Sequence, residues 1–187
     1  MKRIYLSLII IGATIISLAG LTFAYFSSTK VTMTNITLAT GTPTIEISLN
    51  SGSGYAASVD ASSHSEINMY PGWTGQERSF WIKNTNVSDM QIAQVVPQVS
   101  ATNPTGSWAS LKDVVQAKFI DGVTETAYKT LAEWQANTTV GMVGGGNLGG
   151  NSPREFKIQY KMPAGDNLPN AGGSISGLTW EFVGRTP

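Results

Sequence analysis

Residues 156–162 read Phe-Lys-Ile-Gln-Tyr-Lys-Met, with an apolar side chain at every second position. Strict alternation is typical of a β-strand that turns one face towards a core and the other towards solvent. Further apolar segments predict more strands, at residues 45–49, 80–83, 90–99, 116–120 and 175–182. Turn-forming residues separate them, as in Tyr70-Pro71-Gly72. The chain is therefore predicted to be mainly β.

The centre of the chain departs from this alternation. Residues 127–136 are good helix formers and place Leu131 and Trp134 on one face of a predicted helix. Residues 108–115 fit either a short helix capped by Ser107 or the beginning of the strand that follows. The last two predicted strands are separated by a loop and are expected to pair as a hairpin.

About seven to nine strands with alternating faces bury those faces most simply in two packed antiparallel sheets. We therefore expect an antiparallel β-sandwich, jelly-roll-like, with one or two short helices in a central insertion. The residues expected in its core, or in a groove that accepts a further strand, are Phe80, Ile82, Phe156, Ile158, Leu178, Trp180 and Phe182.

The N-terminus has the parts of a secretory signal peptide. Lys2 and Arg3 precede an apolar run at residues 4–21, and the small residue Ala24 follows it. Cleavage between Ala24 and Tyr25 would leave three parts: a signal peptide at 1–24, an N-terminal strand at 25–40 and a single β-sandwich domain at 41–187. Retention of the run as a membrane anchor is the alternative, because its length is at the lower limit for a spanning helix.

The segment after the predicted cleavage site begins a strand at once, without a linker. Val31 and Met33 alternate with threonines, and the apolar phase then slips by one to Ile36 and Leu38, which predicts a β-bulge near Asn35. A free terminal strand can pair with a neighbouring molecule. The alternative is an ordinary first strand of its own domain. If the segment is donated, the residues expected to contribute are Tyr25, Phe26, Val31, Met33, Ile36 and Leu38.

The composition restricts the classes of partner. Charged residues make up 13% of the chain, and twelve basic residues balance twelve acidic ones. Removal of Lys2 and Arg3 with the signal peptide leaves a net charge of about −2, with no basic cluster to grip nucleic acid. The chain contains no cysteine, so disulfides and thiol chemistry play no part.

Candidate catalytic and cofactor motifs are weak. His64 is the only histidine, without the second histidine that a helical zinc-protease motif needs. The Gly-rich residues 144–150 lack the Gly-Lys-Ser/Thr ending of a phosphate-binding loop. The sequence therefore predicts a protein that is not an enzyme and needs no cofactor.

Two surface features leave a binding or modification role open. Five tryptophans allow a carbohydrate-binding interpretation, with Trp73, after the Pro71-Gly72 turn, expected to be the exposed one. Three asparagines lie in the Asn-x-Ser/Thr pattern of N-glycosylation acceptors: Asn35, Asn86 and Asn137.

Three stretches, in this order, resemble the TasA/camelysin family of exported biofilm-fibre proteins. The first is Thr-Phe-Ala-Tyr-Phe-Ser-Ser at 22–28, continuing through Leu-Ala-Thr-Gly-Thr at 38–42 to Ile-Glu-Ile at 45–47. The second runs from Ile-Asn-Met-Tyr-Pro-Gly at 67–72 to Phe-Trp-Ile-Lys-Asn-Thr at 80–85. The third is the terminal Gly-Ser-Ile-Ser-Gly-Leu-Thr-Trp-Glu-Phe at 173–182.

The resemblance implies a signal peptide cut by a SipW-like signal peptidase and a structural subunit of an extracellular fibre or pilus in the biofilm matrix. It further implies polymerisation by donor-strand complementation, in which the N-terminal strand of one subunit completes the sheet of the next. The expected partners are other copies of the chain, with accessory matrix proteins or polysaccharide besides. The alternatives are a monomeric secreted or membrane-anchored binding module for carbohydrate or protein, and a camelysin-like surface protein.

Overall fold

The computed structural model describes residues 27–33, 36–39, 44–66, 69–86, 91–101, 104–142, 146–165 and 173–186. The strands are β1 (Ser27–Met33), β2 (Ile36–Ala39), β3 (Ile45–Ser48), β4 (Arg78–Asn84), β5 (Gln94–Val99), β6 (Thr105–Gly106), β7 (Gln116–Asp121), β8 (Thr124–Glu125), β9 (Lys129–Thr130), β10 (Pro153–Lys161), β11 (Ile175–Ser176) and β12 (Trp180–Arg185). The α-helices within these described residues are α1 (Trp108–Leu111) and α2 (Leu131–Gln135), and a 3-10 turn spans Ser62–His64.

These strands form two antiparallel sheets that share one core. The first sheet has the order β2-β1-β12-β5, and the second has the order β3-β4-β10-β7-β8, with β9 also paired to β7. A separate two-stranded ribbon joins β6 and β11. The prediction of a mainly β antiparallel sandwich with one or two short central helices is confirmed.

Aromatic rings from both sheets meet at the centre of the core. The Phe80 ring of β4 lies 5.1 Å from the Phe182 ring of β12, and the Phe119 ring of β7 lies 4.9 Å from the Trp180 ring. Trp134 of α2 joins them edge-on, 5.1 Å from Phe119. Of the seven core residues expected from the sequence, six are at most 2% exposed, and Leu178 is partly buried against the same cluster.

The helix predicted at 127–136 is shorter than expected. Helix α2 begins only at Leu131, because Thr130 and Glu133 form a capping box: the Glu133 amide donates to Thr130 Oγ1, and the Thr130 amide donates to Glu133 Oε2. The residues before it lie in β9, where they pair with β7. The helix expected after Ser107 does form, as α1, although the Ser107 side chain does not cap it.

The predicted closing hairpin is wrong. Strand β10 pairs with β4 and β7, whereas β12 pairs with β1 and β5. Both strands therefore lie inside a sheet, one on each side of the core. Each strand buries its aromatic face against the other sheet, which a shared hairpin would not allow.

Candidate assembly site

Strand β1 occupies an interior position in the first sheet, although it is the first strand described in the chain. On one side it pairs with β12, with Val31 opposite Phe182 and Met33 opposite Trp180. On the other side it pairs with β2, with Val31 opposite Leu38 and Met33 opposite Ile36. We call the position between β2 and β12 the β1 slot.

The register differs from the single bulged strand expected at 25–40. Met33 and Ile36 are directly opposite each other, so the chain reverses direction between them and β1 and β2 form an antiparallel pair. Only two residues connect the strands, and such a connection places residues i and i+3 on the same face. The slip in apolar phase between Met33 and Ile36 therefore marks a chain reversal and not a bulge.

The floor of the β1 slot is rigid and apolar. Directly opposite residues of an antiparallel pair share one face of the sheet, so positions 31 and 33 belong to the face that carries Phe182 and Trp180. Phe182 is 0% exposed and Trp180 is 1% exposed. The Trp180 indole Nε1–H donates to the Tyr160 hydroxyl oxygen over 2.8 Å, which fastens β12 to the opposite sheet.

Burial raises the pKa of the Tyr160 hydroxyl well above its ordinary value. The phenol therefore stays neutral in the physiological range and can accept the indole hydrogen throughout it. Ionisation of Tyr160 therefore does not break this hydrogen bond at physiological pH.

The structure describes only some of the N-terminal features predicted from the sequence. Val31 and Met33 lie in β1, and Ile36 and Leu38 lie in β2. The apolar run, Ala24, Tyr25 and Phe26 lie outside the described residues, so the expected cleavage stays a prediction. Within the part of the chain that the structure describes, no helix has the length and apolar character needed to span a membrane.

The single histidine packs against a strand edge. His64 Nε2 lies 2.9 Å from the Ser79 carbonyl oxygen of β4, and the neighbouring Glu66 pairs with Arg78 at 3.1 Å. Burial is the main cause that lowers the pKa of His64, and the hydrogen bond to Ser79 acts against it. Among the described residues, no group of three or more His, Asp or Glu is placed to hold a metal ion.

The exposed aromatic residue is not the one expected. Trp73 is partly buried against the core and lies over Gly75, where a Cβ atom would overlap its ring. Tyr70, which precedes the same Pro-Gly turn, is 62% exposed. Trp134 and Trp180 are buried. Tryptophan stacking on a sugar is therefore not favoured at Trp73, because its ring packs inward.

Two of the three glycosylation candidates use their amides inside the fold. Asn137 is 5% exposed, and its Nδ2 donates to the carbonyl oxygens of Pro97 and Val140, each at 2.8 Å. Asn86 Nδ2 donates to Asn84 Oδ1 over 2.7 Å. A glycan would have to break these bonds in the folded protein. The third candidate, Asn35, lies outside the described residues.

The sequence did not lead us to expect the chain reversal between β1 and β2 or the sheet edge at β5. Each of these features nevertheless has a recognisable sign in the sequence. The slip in apolar phase between Met33 and Ile36 is as compatible with a two-residue connection as with a bulge. Pro97 lies within the apolar run of β5, and proline in a strand is typical of a sheet edge. The sequence therefore held a sign of where the first sheet ends.

Comparison with known proteins leaves the site to be interpreted from its own geometry. No protein-family model matches the chain, and neither the curated proteins nor the solved structures contain a significant match.

Proposed function

We propose that this protein is a structural subunit of an extracellular fibre in a biofilm matrix, and that it polymerises by passing β1 into the β1 slot of the next copy. One observation carries the proposal: β1, the first strand of the described residues, fills an interior position of a sheet and is connected to β2 by only two residues. A strand so placed can be replaced by the same strand of another copy without any change in the contacts of the sheet.

The strand contacts are the same in the closed monomer and in the strand-exchanged form. The difference in free energy between the two forms therefore lies in the connection between β1 and β2. Two-residue connections favour residues that tolerate positive φ, such as Gly, Asn and Asp. The sequence supplies the β-branched Thr34 before Asn35, and β-branched residues are poorly suited to such positions. This composition favours a form in which the two residues need not make a tight turn, and an exchange that does not close on itself produces a filament.

The burial that holds β1 in the closed monomer would also hold it between copies in a fibre. The strand that crosses, β1, contributes Val31 and Met33. Burying two such side chains is worth on the order of 3–6 kcal/mol before the cost of ordering the segment, and exchange leaves this contribution unchanged. Main-chain hydrogen bonds to β12 and β2 would add register specificity.

The test uses a disulfide as a record of which chain supplies β1. The chain has no cysteine, so a Lys30→Cys/Val183→Cys variant can form one bond only, between registered residues of β1 and β12. Directly opposite Cα atoms lie about 4.5–5.5 Å apart, within the range of a disulfide. Fibres are assembled under reduction, then oxidised, denatured and run on a non-reducing gel.

Exchange predicts a covalent ladder of subunits, whereas a β1 that stays in its own slot gives monomers alone. A Ser79→Cys/Lys157→Cys variant, which joins registered residues of β4 and β10, is the matched control and should give monomers in either case. Oxidation before assembly should yield a closed-locked monomer that no longer forms fibres. Fibres that release only monomers from the Lys30/Val183 variant would refute the exchange.

A second pair identifies the part that moves. Thr32→Cys/Thr37→Cys joins registered residues of β1 and β2. If β1 alone crosses, this pair also gives a ladder. If the ladder appears only with the β1–β12 pair, the whole β1–β2 pair crosses as one unit and the connection at 34–35 stays closed.

The competing function is a monomeric binding module, and the pairing of β1 with its own β2 and β12 is compatible with it. That function predicts a protein that stays monomeric at high concentration, with no filaments in electron micrographs. Binding of matrix polysaccharide by such a monomer would favour it.

A further inference from the structure

The far edge of the first sheet is β5, and two of its outward-facing carbonyl groups already have hydrogen-bond partners. Alternate residues of an edge strand point their backbone groups away from the sheet. In β5 these include Val95, whose carbonyl oxygen accepts from the Met142 amide at 2.8 Å, and Pro97, whose carbonyl oxygen accepts from Asn137 Nδ2 at 2.8 Å. Pro97 has no amide hydrogen to offer.

The Asn137 side chain acts here as a substitute for a strand backbone. One Nδ2 hydrogen goes to Pro97, the other goes to the Val140 carbonyl oxygen at 2.8 Å, and Oδ1 accepts from the Val140 amide at 3.0 Å. These three bonds tie β5 and residue 140 to one buried amide. We call residues 135–142, which follow the edge in this way, the edge guard.

Further contacts hold the edge guard at both ends. Gln98 Nε2 donates to the Gln135 carbonyl oxygen over 2.9 Å, and the Arg185 guanidinium donates to the Thr138 carbonyl oxygen. Gly141 packs so closely against Gln94 that a Cβ atom there would overlap that side chain. Most of these attachments are side-chain hydrogen bonds.

The edges of the second sheet are protected differently, by main chain next to them in sequence. Ile47 of β3 exchanges two backbone hydrogen bonds with Ala56, each 3.0 Å long. Along β7, β8 and β9 pair with the two ends of the strand, and the Thr126 amide donates to the Phe119 carbonyl oxygen. The β5 edge instead depends on a segment that comes from about forty residues further along the chain.

We infer that the edge guard is an autoinhibitory contact that prevents β5 from pairing with β5 of a second copy. Beneath the guard, Val95, Val96 and Val99 are strong strand formers, and Pro97 withholds only one amide donor from such pairing. An unprotected edge of this kind is a template for association. A second copy is the natural occupant, because the same edge on each molecule makes a self-complementary antiparallel contact.

The β5 edge is separate from the β1 slot, which is an interior position of the same sheet. Association through β5 can therefore be tested with strand exchange blocked. The closed-locked Lys30→Cys/Val183→Cys monomer serves as the background, so that β1 cannot leave its slot. Asn137→Ala is introduced there, with Asn147→Ala as the matched control. Asn147 is exposed, and its amide bonds to the Gln91 side chain outside the edge guard. Association is followed by light scattering across a concentration series.

We expect Asn137→Ala to associate as concentration rises and the control to remain monomeric. In dilute solution the Val140 and Met142 amides should exchange about tenfold faster, the effect of losing about 1.4 kcal/mol of protection. A Val95→Cys/Met142→Cys pair, placed at the bridge between β5 and the edge guard, should restore the monomer when both disulfides are formed in dilute solution before concentration and their pairing is verified by peptide mapping. That rescue separates release of the guard from general unfolding.

A variant with fast-exchanging guard amides that stays monomeric at every concentration would overturn the inference. So would association that persists when the guard is refastened. If circular dichroism shows that Asn137→Ala is unfolded, Gln98→Ala loosens the guard at its helical end and is judged by the same two criteria.

Discussion

Replacing Tyr160 by Phe should loosen the floor of the β1 slot by a predictable amount. The Tyr160 hydroxyl oxygen accepts the indole Nε1–H of Trp180 at 2.8 Å, and the two residues are 8% and 1% exposed. The variant keeps the ring but leaves the indole donor without this acceptor. A buried donor that loses its partner costs about 1–3 kcal/mol. In a domain of this size, that loss lowers Tm by roughly 3–9 °C.

A double-mutant cycle tests the cause of this loss. Trp180→Phe removes the donor and some ring volume, and is expected to be destabilising by itself because it leaves a cavity. In the Trp180→Phe background no donor is stranded, so Tyr160→Phe should cost about 1 kcal/mol less than in the unmodified chain. The measurement is urea unfolding of the closed-locked monomer, which removes assembly from the equilibrium.

The loss of free energy of unfolding in Tyr160→Phe should be the same at every pH between about 6 and 9, because burial raises the pKa of Tyr160 and keeps its hydroxyl neutral. The reasoning fails if Tyr160→Phe leaves the unfolding midpoint unchanged. It also fails if the substitution costs the same in both backgrounds, since the loss would then come from packing and not from the hydrogen bond.

Three other perturbations follow from single sites. Gly106→Ala combines φ +79° with a Cβ that would overlap the carbonyl oxygen of Ser174, just before β11, whereas Gly122→Ala has φ +62° and open space. Calorimetry should show the larger loss of Tm in Gly106→Ala. Burial lowers the pKa of His64, so the unfolded chain binds its proton more readily, and the free energy of unfolding should fall as pH drops below about 6.5. His64→Gln should remove that part of the slope in urea titrations at several pH values. Arg154→Ala takes away the cation 3.3 Å from the buried Asp121 carboxylate and, through the loss of this charged hydrogen bond, should cost about 1–3 kcal/mol in chemical denaturation, so an unchanged free energy of unfolding would contradict that estimate.

Local alternation predicted the strands well because its cause is local. In β10 the apolar positions Phe156, Ile158 and Tyr160 are buried, as period-two burial requires. The pairing of the strands was not predictable in the same way. Nothing within residues 156–182 encodes that the two strands belong to opposite sheets, because that depends on which distant strands compete for their edges.

The short helix shows how a tertiary requirement overrides propensity. Residues 127–136 have the composition of a helix, yet Lys129 and Thr130 pair with β7 and only five residues remain helical. The strand pairing satisfies backbone groups of a buried strand, and such groups are costly to leave without partners. The capping box at Thr130 was visible in the sequence as Thr-x-x-Glu, and it marks where the helix begins.

The position of β1 changes how its role has to be tested. In the closed chain, positions 31 and 33 lie opposite Phe182 and Trp180, and exchange between copies would recreate the same pairs. A charged substitution such as Val31→Asp would therefore weaken the folded monomer and the fibre together, because one set of contacts serves both. Loss of fibres in such a variant says little about whether β1 is exchanged. Only a measurement that identifies the chain supplying the strand separates the two cases, and the disulfide ladder between residues 30 and 183 provides that identification.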